Sequence, residues 1–442
     1  MNKYNSYKDS GLEWIGEIPK HWKELPLRYY FDYTKGSNGQ KLNKTYIEEN
    51  KGEYPVYSGQ TTKNGILGYV NEYEFDYSFP LVFTTTVGAK FMNTRILQGK
   101  FSLSQNCLVM IRKKICIPSY FQYLLSIDFE FRRELIPTII QPSLRMEDLD
   151  RMTIIIPTLS EQQQIVSFLD DKTQKIDSLI QKKEKKIELL KEKRTSLINH
   201  VVTKGLDPNV KMKDSGVEWI GEIPSHWNTS KLKYHGNFFS GYSFDSNDFQ
   251  NEGEVRVIKI SNIQNNGVSW EDLSFLPKNY YDDFEGFRVL KGDLIFVLTR
   301  PIISTGIKVC FYQEEHLTLL NQRNSVFRPD VDTLVKRFLF FLVRTFYFFE
   351  EFKQQLKGSG QPNISTEQIS NIKIYLPSLK EQQQIVEYLD KQTEEIDTLI
   401  QLEQKKIDTL KEYRQSLISE VVTGKIRVCE EDNSLILNSR TV

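Results

Sequence analysis

Apolar residues return every seven positions between Leu159 and Val202. Leu169, Ile176, Leu190 and Leu197 fall in one register and Ile180, Ile187 and Val201 in the other, with Lys183 and Arg194 as polar interruptions. The same seam recurs as Leu389, Ile396, Leu410 and Leu417 with Ile400, Ile407 and Val421, interrupted by Glu403 and Arg414. A repeat of this step is the a/d seam of a coiled coil. It predicts two long helices, each starting just after a proline, Pro157 or Pro377, because proline disfavours a helical residue before it. Ser160, with Gln163 at the third helical position, is the candidate capping box. A long seam must bury itself, and the nearest equivalent surface is the other copy. Antiparallel pairing would set whatever precedes each helix at opposite ends of the pair, about a pseudo-twofold axis, and would let Lys183 and Glu403 approach near its centre.

Elsewhere the apolar positions come in short runs. Leu81 to Thr86 and Cys107 to Arg112 read as strands, as do Glu254 to Ser261, Gly292 to Leu298 and Ile307 to Tyr312, while helices are predicted near Tyr120 to Leu135 and over Thr333 to Phe352. Phe338 to Phe349 is the most apolar stretch, but it is short and contains Arg344, so it reads as a buried aromatic helix and not as a membrane span. The fold class expected is α+β: two mixed-sheet modules separated by two long helices that pair as an antiparallel coiled coil.

The chain is also written twice. KDSGLEWIGEIPKHW at 8–22 returns at 213–227 with 13 of 15 positions the same, and the segment 156–203 returns at 376–423 with 29 of 48. Matches this dense exclude coincidence. Between the shared blocks lie two divergent inserts, 23–155 and 228–375, in which only traces agree: Gly36 with Gly241, Gly88-x-Lys90 with Gly306-x-Lys308, Gln105 with Gln322, and Gln141-Pro142 with Gln361-Pro362. Both inserts are therefore expected to be one fold carrying different surfaces. The constant parts should meet an invariant partner or each other, and the variable parts should meet ligands that differ.

Composition narrows the class. The 58 basic and 58 acidic residues cancel, which argues against a nonspecific polyanion binder and leaves room for a sequence reader held in place by partners. No apolar run follows the first lysines, so no secretory signal is read and a cytosolic protein is expected. Cys107, Cys116, Cys310 and Cys429 show neither CxxC spacing nor a histidine companion, against zinc and against a disulfide framework.

Polar side chains crowd the loops of both inserts. In the first, Ser58, Gln60, Thr62, Lys63, Thr85, Lys90, Gln105 and Asn106 are candidates to meet DNA; in the second, Asn262, Gln264, Arg300, Thr305, Lys308, Asn321, Gln322 and Arg323. Arginine pairs well with guanine, asparagine and glutamine with adenine, and lysine or threonine with phosphate. No Walker A, Rossmann, HExxH or adenine-methyltransferase motif appears, and the five histidines are scattered, so catalysis is not expected in this chain and no metal site is read.

The two WIGEIPxHW blocks, the two PxLxEQQQIV helix starts and the segment Gly360 to Ser365 resemble the specificity subunit of type I restriction-modification systems, over nearly the whole length. The first insert departs slightly, with Ile140-Gln141-Pro142-Ser143 where the second has Gly360-Gln361-Pro362-Asn363. The resemblance implies a target recognition domain at 1–155, a spacer helix at 156–205, a second recognition domain at 206–375, a second spacer helix at 376–425 and a tail at 426–442. Each recognition domain would read one half of a bipartite, asymmetric site in double-stranded DNA. The helices would fix the gap; a helix of 40 residues spans ~60 Å, or ~18 base pairs at the spacing of duplex steps. The resemblance further implies modification (methyltransferase) subunits that use S-adenosylmethionine and restriction subunits that use ATP and Mg, with no cofactor in this chain. The competing expectation is a coiled-coil adaptor that binds proteins through both inserts and never touches DNA.

Overall fold

A computed structural model of the chain describes residues 3–60, 63–88, 91–136, 143–264, 267–303, 306–356 and 362–428. It forms two compact units, Met1–Glu184 with Gln404–Val442, and Lys185–Glu403. The division cuts both long helices. Each unit holds one globular module, the first half of the helix that follows it and the last half of the other helix.

The long helices run Leu159–Lys204 and Leu379–Val422, 46 and 44 residues. They start after their prolines as the sequence predicts, but the capping box lies two residues earlier than expected. Thr158 Oγ1 accepts from Glu161 N at 3.3 Å, and Glu161 Oε2 accepts from Thr158 N at 3.0 Å and from its hydroxyl at 2.7 Å. The residue after the proline is the last one free to stay outside the helix, so Thr158 takes the capping role and Ser160 falls inside the first turn. In the second helix Ser378 Oγ accepts from Glu381 N at 3.3 Å.

Within the second unit the half-helices run antiparallel, for Lys186 meets Glu403 at 3.0 Å and Arg194 meets Asp397 at 3.0 Å, one number rising as the other falls. Within the first unit Arg414 meets Asp177 at 2.9 Å. The two arginines that interrupt the predicted seams thus each bind an aspartate, and the four residues are related by the repeat itself. Leu169, Ile176, Ile180, Ile187, Leu389, Ile396, Ile407 and Leu417 are buried. Leu190, Leu197, Ile400 and Leu410 are half-buried. Against water each buried side chain contributes on the order of 2 kcal/mol, so the seam and not the ion pairs carries the pairing.

In the first module the strands Phe31–Lys35, Cys107–Arg112, Phe75–Thr85, Thr94–Leu103, Lys51–Tyr57 and Ile66–Val70 lie in that order in one sheet. Only Lys51–Tyr57 and Thr94–Leu103 are parallel. The second module has Gly236–Ser240, Asn324–Pro329, Leu294–Val297 and Val309–Phe311 in one sheet and Phe275–Leu276, Val255–Ile258 and Thr318–Leu320 in another, where the last two are parallel.

The ladders of the two modules superimpose residue by residue. Lys35 pairs with Leu108 and Thr84 with Leu108; Ser240 pairs with Ser325 and Phe296 with Ser325. This register makes Gly36 equivalent to Gly241 and Gln105 to Gln322, as the sequence predicts. Both glycines press on one strand end: a Cβ on Gly36 would lie 3.0 Å from Leu103 O, and one on Gly241 2.7 Å from Leu320 O. The match of Gly88-x-Lys90 to Gly306-x-Lys308 needs correction. Thr84 pairs with Thr94 as Phe296 pairs with Val309, so Asn93 is the counterpart of Lys308 and Arg300 that of Gly88. Similar letters there mark a chance likeness three residues out of register.

The aromatic helix is the second correction. It is two helices, Lys336–Leu342 and Phe346–Gln355. Thr345 separates them: its hydroxyl donates to Leu342 O at 2.7 Å and accepts from Phe348 N at 3.4 Å, closing one helix and capping the next. Its first-module counterpart, Pro118–Glu134, is unbroken.

Candidate nucleic-acid interface

The shared blocks explain how each module is held on its helix. The hairpins Tyr7–Asp9 with Glu17–Pro19 and Met212–Asp214 with Glu222–Pro224 have the same register. Each delivers a histidine and a buried tryptophan to the first turn of the following long helix. His21 Nε2 lies 2.9 Å from Glu161 Oε1 and Trp22 Nε1 donates to it at 3.2 Å; His226 Nε2 lies 2.9 Å from Glu381 Oε2 and Trp227 Nε1 donates to Oε1 at 3.0 Å. Burial alone would raise the Glu161 carboxyl, but hydrogen bonds from Thr158, His21 and Trp22 outweigh it and hold the group below its ordinary value.

The next residue of each EQQQ run is a second clamp. Gln162 Oε1 accepts from Ile117 N at 3.0 Å, and Gln382 Oε1 accepts from Val335 N at 2.8 Å; these are the N-caps of the helices Pro118–Glu134 and Lys336–Leu342. Both glutamines are buried and give their amide protons to Pro157 O and Pro377 O at 3.1 Å. Sequence reasoning passed over these glutamines. Their exact repetition beside a proline was the available signal.

With the modules so held, the polar loops meet at one edge. In the first module Thr86 N donates to Asn106 O and Leu144 N to Thr86 O, both at 2.8 Å. In the second Leu298 N donates to Arg323 O at 2.8 Å, Ile364 N to Leu298 O at 2.9 Å and Arg300 N to Pro362 O at 2.9 Å. The bridges Val87 to Ser143 and Thr299 to Asn363 complete the same weave. At equivalent turns Asn106 has φ +67° and Arg323 φ +68°, and Arg300 has φ +50°. Arginine gains nothing locally from that conformation, whereas asparagine tolerates it.

Of the candidate readers, Gln105, Asn106, Gln264, Arg300, Gln322 and Arg323 are exposed at these loops. Others build the loops instead. Ser58 is buried and donates to Gly65 O at 3.4 Å, and Thr85 is buried with its hydroxyl accepting from Asn93 N at 3.0 Å. Asn262 is the clearest correction. Its amide accepts from Lys259 N at 2.8 Å and donates to Ser269 O and Asp272 O at 3.0 Å, so it shapes a loop and has no hydrogen-bonding capacity directed outward. Gln60 gives its amide to Ile66 O, and Asn321 accepts from Gln322 N at 2.8 Å. Lys308 is half-buried and donates to Ile260 O at 2.8 Å; burial pushes its ammonium below the ordinary lysine value. Thr62, Lys90, Thr305 and the Lys63 side chain lie outside the described residues, as does Cys429.

Two residues that sequence reasoning missed belong to this edge. Arg95 holds the first loop through the carbonyls of Gln60, at 3.3 Å, and Asn64. Tyr242, exposed, receives Gln322 N on its carbonyl at 2.8 Å and stands beside the second set of readers.

Cys107, Cys116 and Cys310 are free and buried. Among the described residues no group of three His, Cys, Asp or Glu side chains is placed to hold a metal ion, and no helix is long and apolar enough to cross a membrane.

Comparison with known proteins now has a geometry to meet. The model of the type I restriction modification DNA specificity domain matches residues 19–189 and again 224–412. The chain is 30% identical over 417 residues to the type I restriction enzyme MjaVIII specificity subunit of Methanocaldococcus jannaschii, covering 93% of this chain and 94% of that one. It is 25% identical over 357 residues to a putative type I specificity subunit of Mycoplasma pneumoniae, 80% of this chain and 85% of the relative. A solved chain from work on assembly and conformational transition of the type I R-M system shares the fold, with a TM-score of 0.69 at 14% identity over 92% of this chain and 99% of that one. With its two modules, its mixed sheets and its long helices, the chain belongs to the family of type I restriction-modification DNA specificity subunits.

Proposed function

We propose that this non-catalytic specificity subunit reads a bipartite, asymmetric site in double-stranded DNA, one half through each module, while the paired helices fix the gap between the halves. The observation that carries the reading is the pair of superimposable ladders ending in dissimilar exposed residues: Gln105 and Asn106 at one edge, Gln322 and Arg323 at the equivalent edge of the other. Equal frames with unequal edges suit two readers that face different base sequences. Arg300 and Arg323, held in a costly backbone conformation at exposed turns, have the donor geometry for guanine or phosphate.

The methylating and cleaving chemistry would come from partners. Modification subunits carrying S-adenosylmethionine would dock on the constant blocks and helices, and restriction subunits would bring ATP and Mg. Burial of Glu161, Gln162, Glu381 and Gln382 in the module-to-helix clamps supports a constant platform for such docking, because substitutions there would disturb both modules' seating alike.

The test is to exchange residues 23–155 for the matching segment of another specificity subunit and map methylated adenines genome-wide in cells that also supply the modification subunits. One half of the methylated motif should change, with the other half and the spacer preserved. A change in both halves, or in neither, would contradict the assignment. An adaptor that never touches DNA would give no motif at all.

A further inference from the structure

A cleft of about 560 Å³ in the second unit lies between its half-helices and its module, inside the size range of ligand pockets, about 300–1,000 Å³. Its cationic groups are Lys191, Arg194 and Arg344, and its one carboxylate is Asp397, already paired with Arg194 at 3.0 Å. Arg344 is the residue that breaks the aromatic stretch, and its guanidinium lies 3.9 Å over the Phe340 ring. Desolvation, with the neighbouring charges of Arg194 and Arg337, pushes Arg344 down to about 10. A half-buried arginine with other arginines around it is a group that an anion would relieve. The remaining wall is apolar, from Ile307, Val343, Phe349 and Ile400.

The position points to the anion. Gly306 and Ile307, at the cleft's rim, form the strand next to Lys308 and close the hairpin that begins just after Arg300. The cleft therefore opens beside the proposed reader edge of the same unit. We infer that it seats one sugar-phosphate unit of the DNA backbone, the phosphate between Lys191 and Arg344 and the deoxyribose against Ile307 and Phe349. This rests on the DNA-reading function proposed above. It adds a contact that positions the duplex without reading sequence.

The first unit supplies a contrast. Lys411, Arg414 and Asp177 stand at the repeat positions of Lys191, Arg194 and Asp397. Counted from the N-caps Ile117 and Val335, however, the position of Arg344 is filled by Ser126. The seat is therefore assigned to the second half-site only.

The test uses the full chain assembled with its modification subunits and a duplex bearing the methylated motif. Arg344→Gln and the exposed Lys191→Ala should each weaken binding about tenfold at moderate salt, equally on cognate and scrambled duplexes, and each should flatten the slope of log K against log salt by about 0.9, one phosphate contact. Single methylphosphonate substitutions along the second half-site should weaken the wild type at one position, and that position should lose its effect in Arg344→Gln. Lys411→Ala should leave the second half-site pattern unchanged. If wild type binds and Lys191→Ala keeps its affinity and slope, the seat is wrong while the reading function stands; if wild type binds no DNA, the reading function itself fails. Titration with inorganic phosphate separates the sources. A thermal shift in wild type that is lost in Lys191→Ala, alongside unchanged DNA binding, assigns the cleft to a free anion and overturns the proposal.

Discussion

The two units build the same junction, once with continuous chain and once without. In the second, the first long helix ends at Lys204 and the chain passes through Gly205 into the strand Met212–Asp214. In the first, the other long helix ends at Val422 and turns through Gly424, while the equivalent strand, Tyr7–Asp9, comes from the N-terminal segment. Contacts stand where the second unit has chain: the Tyr7 hydroxyl donates to Gly424 O at 3.3 Å and Arg427 lies 5.8 Å over the Tyr4 ring. The modules differ in another way. Thr94–Leu103 is one strand joining the whole first sheet, whereas its counterparts Val309–Phe311 and Thr318–Leu320 are separate and the second sheet falls into two. Two extra residues between them are enough to break the strand. The lesson is that the frame is fixed by ladder register and by the tryptophan and glutamine clamps, and that chain continuity and strand length vary around it.

If the clamps are equivalent, the largest effect should be equal in both units. Trp22 and Trp227 are 1% and 0% exposed. Trp22→Ala and Trp227→Ala should each cost about 3–5 kcal/mol, through lost burial and the cavity left behind. Urea titration gives the cost, and hydrogen exchange shows which unit loosens. Loosening in both units from one substitution would end the comparison, because the effect must stay in the unit that holds the residue.

The junctions should be unequal. Gly424 has φ +74° and Gly205 φ +78°, so alanine in either position bears about 1–2 kcal/mol of backbone strain. Only at Gly424 does the added Cβ also collide, 2.5 Å from Pro19 Cδ and 3.0 Å from the Trp22 ring, while at Gly205 the nearest atom is the flexible Glu381 carboxylate at 3.3 Å. Gly424→Ala should therefore be clearly the more destabilising of the two in thermal melts. Equal shifts would mean that the contact-made junction is as loose as a linker.

Much of this was legible in the sequence, and the reasons are physical. A seven-residue step is long enough to be unambiguous, so Leu169 to Leu197 and Leu389 to Leu417 reveal their helices without help. Gly36 and Gly241 were legible because a backbone carbonyl leaves no room for another residue. Gly88-x-Lys90 misled because two glycines in loops carry no register, and only the hydrogen-bond ladder shows Arg300 opposite Gly88. The break at Thr345 was hidden by the apolar residues on both sides, since hydrophobicity does not report a hydroxyl that caps a helix from within. For the reader loops, polarity was the only signal. It cannot separate Asn262, whose amide is spent on three backbone groups, from Gln322, which is exposed, because that difference is made by loop closure over distant residues.

The smallest effect tests the helices. Arg194 with Asp397 in the second unit and Arg414 with Asp177 in the first are the same pair by repeat, with side-chain exposures of 25% and 48% in one and 37% and 48% in the other. At such exposure an ion pair is worth about 0.2–1 kcal/mol, screened further by salt. Double-mutant cycles on each pair, by urea titration at low and high salt, should give small couplings of similar size that shrink together. The reversed pair Arg194→Asp with Asp397→Arg should recover most of what either change alone loses. A coupling well above this range in one unit only would mean that one pair is shielded from water in a way its repeat is not. The near-identity of the two half-helix pairings would then be a likeness of sequence and not of energetics.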